Sequence, residues 1–386
     1  MKDLCSGFSN ILVLVFLVSL VVVMIAFLSG RGTPSAGFGS SPVPTAVGVQ
    51  VSPLSTPVGR SVALARIGAP VLIRSSSVTG LLGGDQQNLL SVSRRGNQTY
   101  TAVFDLVTGQ ERKIANTALP NARLSGQWLI YEDHPPVTST VYYNRIIAVN
   151  LNSRREILLG DSNSIQQAPS ISGDIVVWAD WRNQEKTNVD IYGYDLVKGQ
   201  EFPVVVKPGP NSGAKISGKW VVYVEPTAQG QRLAELRAHS LATGEDFSIG
   251  IIPAPQDATN GTHYAIDDDE VVWTKVEPGN LSLSSLHLYN LHTRLDRQLS
   301  GQTMGEPSSG LSISAHAGIV VCGCSGQGWT VIDTFQSPPV QLSVTRPMTS
   351  PAGGYQLSIL GDSLVWWAGV RPGTHEANVY IAPITR

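Results

Sequence analysis

The chain predicts an all-β fold, a β-propeller of four-stranded blades, from about residue 61 to its end. Three observations carry this. First, one phrase recurs: an apolar run ending in an aromatic, a variable gap, then a strand closing on a polar residue and a leucine. Its fullest copy is Ile171-Ser-Gly-Asp-Ile-Val-Val-Trp178, followed by Asp190-Ile-Tyr-Gly-Tyr-Asp-Leu196. Second, the period is regular. The leucines Leu106, Leu151, Leu196, Leu241 and Leu291 are spaced 45, 45, 45 and 50 residues. The aromatic position reads Tyr131, Trp178, Tyr223, Trp273, Cys322 and Trp366, spaced 47, 45, 50, 49 and 44. A period in the mid-forties made of strands and turns has the length of a propeller blade. Third, no segment beyond the N-terminal apolar run shows a helical period.

Within one copy the strands follow in order. A short first strand ends in a Gly-Asp-type turn, as in Ala122-Arg-Leu-Ser-Gly126, Ser170-Ile-Ser-Gly-Asp174 and Ala214-Lys-Ile-Ser-Gly218. The second strand is apolar at consecutive positions (Trp220-Val-Val-Tyr223, Val271-Val-Trp273), as a strand covered on both faces requires. The third alternates more, as in Leu286-His-Leu-Tyr-Asn-Leu291. Asp, Asn and Gly then turn the chain into an outer strand. Copies begin near residues 77, 121, 168, 212, 262, 311 and 354, which makes seven blades, the first and sixth degenerate. The seventh stops after its third strand, Asn378-Val-Tyr-Ile-Ala382. Because an exposed blade edge is prone to pair with other chains, Ser61-Val-Ala-Leu-Ala-Arg-Ile67 or Val71-Leu-Ile-Arg74 is expected to supply the missing fourth strand and close the ring. An open stack is the alternative.

Ahead of the repeats lie three further segments: a short head (1–10), an apolar run (11–28) and a linker (29–60). Ile11 to Leu28 is apolar apart from Ser19, long enough to cross about 30 Å of hydrocarbon as a helix. The segment reads as a signal anchor, with a cleaved signal near Phe27-Leu-Ser-Gly30 as the alternative. A ten-residue head cannot fold, so the economical orientation leaves the head in the cytoplasm and the repeats outside. Residues 29–60, rich in Gly, Ser, Thr and Pro, read as a disordered tether reaching about 30 Å.

Composition narrows the functional classes. Charged residues are 15% of the chain and the net charge is −2, so no basic field draws nucleic acid. The three cysteines are too few for a disulfide scaffold. Cys322 and Cys324 share a strand face, but a bridge between them would strain the backbone, so Cys322 is expected to fill the aromatic position as a small hydrophobe. The seven histidines form no HExxH, HxH or zinc pattern, and no G-x-S-x-G elbow occurs. No cofactor is implied.

Candidate binding residues lie in the connections between second and third strands, which vary most and converge at the channel mouth in a propeller. They are Asp133, His134, Asp180, Trp181, Arg182, Arg371 and His375; Trp and Arg are common interface anchors. A weak metal candidate is the acidic turn Asp267, Asp268, Asp269, which lacks the spacing of a calcium loop.

The phrase Ile171-Ser-Gly-Asp-Ile-Val-Val-Trp-Ala-Asp-Trp-Arg-Asn183, with the Asp190–Leu196 strand and Gly-Gln-Glu201, resembles the repeats of TolB-like propellers, especially those of bacterial and archaeal surface proteins. Such domains usually have six blades, so seven is a departure. The resemblance implies a role in binding or scaffolding rather than a shared reaction, and it transfers no binding residue. The expectation is therefore a membrane-anchored extracytoplasmic propeller, non-catalytic, that binds an envelope or surface protein or a glycan. The alternative is a carbohydrate-active hydrolase or lyase working at the channel mouth.

Overall fold

The computed structural model describes residues 63–134, 144–160, 163–227, 233–254, 263–277, 280–304, 313–325, 328–342, 357–369 and 377–386. The predicted anchor and tether lie outside them. Among the described residues no helix is long and apolar enough to cross a membrane.

The repeat unit of Gly59–Arg386 is a seven-bladed β-propeller. Two strands come first, β1 (Arg66–Ile67) and β2 (Val71–Gly84). Blade one combines the C-terminal part of β2 with β3 (Asn88–Arg95), β4 (Gln98–Asp105) and β5 (Glu111–Ala115). Blade two is β6 (Arg123–Ser125), β7 (Trp128–Asp133), β8 (Arg145–Asn150) and β9 (Glu156–Leu159). Blade three is β10 (Gln166–Ser172), β11 (Ile175–Asp180), β12 (Asn188–Asp195) and β13 (Gln200–Val205), with β14 (Gly209–Pro210) alongside β12. Blade four is β15 (Ser212–Ser217), β16 (Trp220–Pro226), β17 (Leu233–Ser240) and β18 (Asp246–Pro253). Blade five is β19 (Tyr264–Asp267), β20 (Glu270–Glu277), β21 (Asn280–Asn290) and β22 (Asp296–Met304). Blade six is β23 (Ile313–His316), β24 (Ile319–Ser325), β25 (Gly328–Asp333) and β26 (Val340–Leu342). Blade seven has β27 (Leu357–Leu360), β28 (Ser363–Gly369) and β29 (Ala377–Thr385). Along β29, Ile67 pairs with Ile384 and Val71 with Ile381, both antiparallel.

The core is divided among the interfaces between neighbouring blades. Leu89 and Phe104 of blade one meet Val365 and Val379 of blade seven, whereas Leu90 and Val103 meet Leu124 and Leu129 of blade two. Adjacent residues of one strand thus serve opposite interfaces, which explains the unbroken apolar second strands. The periodic aromatics all face the preceding blade: Trp178 packs on Trp128 and Ile146, and Trp273 on Trp220 and Val222. Gly250 of blade four exists for this packing, since a β-carbon there would lie 2.4 Å from the Trp273 ring.

Each polar part of the repeated phrase has a structural task. The residue before each leucine caps the turn into the outer strand. Oδ1 of Asp105, Asn150, Asp195 and Asn290 accepts the backbone N–H two residues on. The N–H of Leu106, Leu151, Leu196, Leu241 and Leu291 donates to the carbonyl of the turn between first and second strands, at 2.7–2.9 Å. That turn carries a left-handed residue, at φ 55° for Gly126, 57° for Gly173, 53° for Gly218, 49° for Asp268 and 48° for Ala317, which Gly318 follows at 74°. The side chain just before it links to the next blade. Asp85 accepts Gly126 N–H, Ser125 accepts Gly173, Ser172 accepts Gly218, Ser217 accepts Asp268 and Asp267 accepts Ala317, at 2.9–3.0 Å. Ser-Gly-Asp therefore recurs because serine reaches the next blade and glycine tolerates the left-handed turn. The aspartate also reaches across blades: Asp174 accepts the Trp128 indole N–H at 2.9 Å, and Asp269 that of Trp220 at 2.6 Å.

One expectation fails. Cys322 is fully buried between blades five and six, as a hydrophobic filler would be, but it is disulfide-bonded. The other cysteines of the chain are Cys5 and Cys324.

Candidate functional site: the channel and its mouth

The inner strands of blades two to six enclose a cavity of about 340 Å³. One residue per blade recurs in its lining, always three before the left-handed turn residue: Arg123, Ser170, Lys215, Ala265 and Ser314. Ser170 and Ser314 are fixed by accepting N–H bonds from the following blades, Ile216 N at 3.2 Å and Ile359 N at 3.3 Å. Among the described residues the lining includes two cations and no carboxylate.

Both cations are reachable by solvent through the channel yet surrounded by protein, so desolvation governs them. Burial, and then the charge of Arg123, brings the Lys215 ammonium down to about 7. Its Nζ donates to the Tyr264 carbonyl at 2.5 Å and lies 4.6 Å from that ring's centre. Tyr264 is fully buried and its hydroxyl donates to the Gly213 carbonyl, strapping blade five to blade four. Burial raises that phenol. Burial also lowers Arg123, against the attraction of Glu132, although a guanidinium stays charged. His263 is held at about 4 by burial and by the charge of Lys215, and is neutral at physiological pH.

At the mouth, the connection after the second strand meets the entry to the inner strand. Glu132, 2% exposed, accepts Asn121 Nδ2 at 2.8 Å and the Ala168 N–H at 2.7 Å, and pairs with His134 Nε2 at 3.1 Å. Asp133 pairs with Arg145. Asp180 is fully buried and accepts from Trp178 Nε1 (2.9 Å), Arg182 N (2.9 Å), Arg182 Nη2 (2.7 Å) and Ser164 Oγ (2.5 Å). Burial alone would raise its carboxyl, but these donors outweigh burial and hold it below the ordinary range. Arg182 also forks onto Glu201 and stacks 3.9 Å above the Tyr192 ring. Asp180 and Arg182 thus serve the blade itself. Partly exposed Trp181 is held through its backbone, its N–H donating to Ile165 O and its carbonyl accepting the Gln184 N–H, both at 3.0 Å. Arg371 and His375 lie outside the described residues.

The acidic turn is likewise committed to neighbours. Asp267 takes the Ala317 N–H and pairs with His316 at 3.2 Å, and Asp269 takes the Trp220 indole. Among the described residues no group of three acidic, histidine or cysteine side chains could hold a metal. Sequence reading missed Arg123 and Lys215, although their register, three before each turn glycine, was visible.

Neither a protein-family model nor a curated protein matches the sequence. Solved structures share the architecture. An oligogalacturonate lyase in complex with manganese aligns with TM-score 0.55 at 12% identity, over 83% of this chain and 91% of that one. The WD40 domain of Toxoplasma gondii coronin aligns with TM-score 0.52 at 10% identity, over 84% and 88%. The β-propeller domain of the Pyrococcus furiosus Trilobed protease, described as having an open velcro topology, aligns with TM-score 0.51 at 10% identity, over 80% and 93%. At such identities the likeness is one of fold: the chain is a β-propeller.

Proposed function

We propose that the chain is a membrane-anchored extracytoplasmic propeller that serves as a non-catalytic binding or scaffold module for an envelope or surface protein or glycan. Ile11–Leu28 is the anchor in this reading, and β1 with the start of β2 is the clasp of the ring. The observation that carries it is the division of labour at the mouth. The acidic groups Glu132 and Asp180 are tied up by fixed donors, while Trp181 and the channel's Arg123, Ser170, Lys215 and Ser314 face solvent or cavity. Such a surface offers donors and an aromatic rather than an acid–base pair.

The test is capture by the full chain from envelope extract, with Trp181→Ala compared against the unaltered protein. The expected result is a partner whose recovery falls about tenfold in the variant, as loss of an aromatic anchor produces. Equal recovery from both would remove the mouth as the binding face. The carbohydrate-active alternative is favoured by one observation, the Lys215 amine near neutrality beside Arg123, which suits proton abstraction next to a carboxylate. It predicts cleavage of acidic oligosaccharides by the full chain, and Lys215→Arg abolishes that activity.

A further inference from the structure

The chemistry of the channel is more specific than that of the mouth. Three observations converge there. The cavity is large enough for a small molecule, at about 340 Å³. Among the described residues its lining carries Arg123 and Lys215, from blades two and four, and no carboxylate. Ser170 and Ser314, already accepting backbone N–H bonds, have their hydroxyl hydrogens left to donate.

We propose that the channel holds a small oxyanion, carboxylate or phosphate, between Arg123 and Lys215, with Ser170 and Ser314 as neutral donors. The inference rests on the binding reading above and names its ligand chemistry. Arg123, whose Nη1 already donates to Ala122 O at 2.9 Å, supplies its remaining guanidinium N–H donors, and Lys215 a point charge. The Tyr264 carbonyl and ring position the ammonium from blade five.

Occupancy depends on pH through Lys215. Among the described residues, the titratable groups that act on or touch it include Arg123 from blade two, which stays cationic, and His263 and Tyr264 from blade five, both neutral near pH 7. Glu132 on β7 is the acidic neighbour of Arg123, bonded to Asn121 and Ala168. Because Lys215 is charged below about 7, the anion is held more tightly at lower pH.

The experiment is isothermal titration of the full chain, in detergent, with inorganic phosphate and separately with succinate. Saturable binding of either is expected, weakened about tenfold or more by Arg123→Gln and by Lys215→Gln. Whichever probe binds identifies the source of the oxyanion. The affinity of the unaltered chain should fall as pH rises from about 6 to about 8.5, while Lys215→Arg, charged throughout, should hold its affinity. Charge-preserving Lys215→Arg and Arg123→Lys serve where a glutamine variant fails to fold. No saturable binding of either probe up to about 10 mM, or binding that both glutamine variants leave unchanged, overturns the inference. Partner capture that survives Arg123→Gln while anion binding is lost keeps the two claims separate: the mouth reading then stands on its own.

Discussion

Replacing Asp333 with alanine is expected to destabilise the propeller by about 3–5 kcal/mol, the cost of taking a fully buried charged acceptor from its several donors. Asp333 is fully buried in blade six and fastens both ends of the described chain. Its Oδ2 accepts the Ala65 N–H at 2.9 Å and Arg386 Nη1 at 2.9 Å, and its Oδ1 accepts Arg386 Nη1 at 3.0 Å and the Phe335 N–H at 3.1 Å. Alanine leaves the Ala65 amide unpaired, Arg386 without its counter-charge and the turn at Phe335 uncapped. Asparagine keeps the shape but not the charge and should fall between the two. Urea denaturation of the full chain measures this; a change within about 0.5 kcal/mol would mean that the carboxylate fastens nothing.

The pH dependence follows with a definite sign. Burial would raise the Asp333 carboxyl, but the Ala65 amide, Arg386 and the Phe335 amide outweigh it and hold the group below the ordinary carboxylate value. A depressed acid stabilises the fold above its unfolded pKa, near 4, and that contribution fades as pH falls through the lower folded value. The alanine variant should lose stability less steeply on acidification than the unaltered chain. His316 acts in the opposite direction. Its hydrogen bond to Asp267, against burial, raises it, so its contribution is complete below about 6.5 and is lost as pH rises through the folded value.

Asp180→Ala is the second large effect, again about 3–5 kcal/mol. The substitution strands the Trp178 indole N–H inside the interface of blades two and three, and takes from Arg182 one of its two carboxylates. Trp178 is fully buried and no water can replace the lost acceptor cheaply. Denaturation of the variant distinguishes the two roles available to Asp180. A stability loss of that size marks a residue that holds its blade together. An unchanged midpoint with weakened partner capture would return Asp180 to the binding face.

The sequence made the blades legible because their constraint is geometric and repeated. A second strand buried on both faces must be apolar at neighbouring positions, so Val177 and Trp178 announce two interfaces at once. The leucines and turn glycines repeat because each blade needs the same hydrogen bond and the same left-handed residue. The mouth was harder to read. Asp180 and Arg182 look like solvent-facing loop residues in the sequence. Only the fold shows Arg182 turned back onto Tyr192 and Glu201, ten and nineteen positions further along. Arg123 and Lys215 were hidden for a different reason. Their position repeats in register, but its residue type changes from blade to blade, so no repeated chemistry marks it. Cys322 kept its expected place in the core, but pairing chemistry is not written in hydrophobic pattern.

Residues 66–67 and 71–74 pair along β29, and the proposed clasp of the ring consists of these strands. Amide hydrogen exchange on the full chain addresses this directly, because a strand that completes a blade opens only when the blade does. The predicted result is slow exchange at residues 66–68 and along 377–385, comparable to β20 in blade five, with Asp333→Ala loosening these segments first. Exchange of the N-terminal strands at the rate of an unstructured peptide, with blade five still protected, would contradict it.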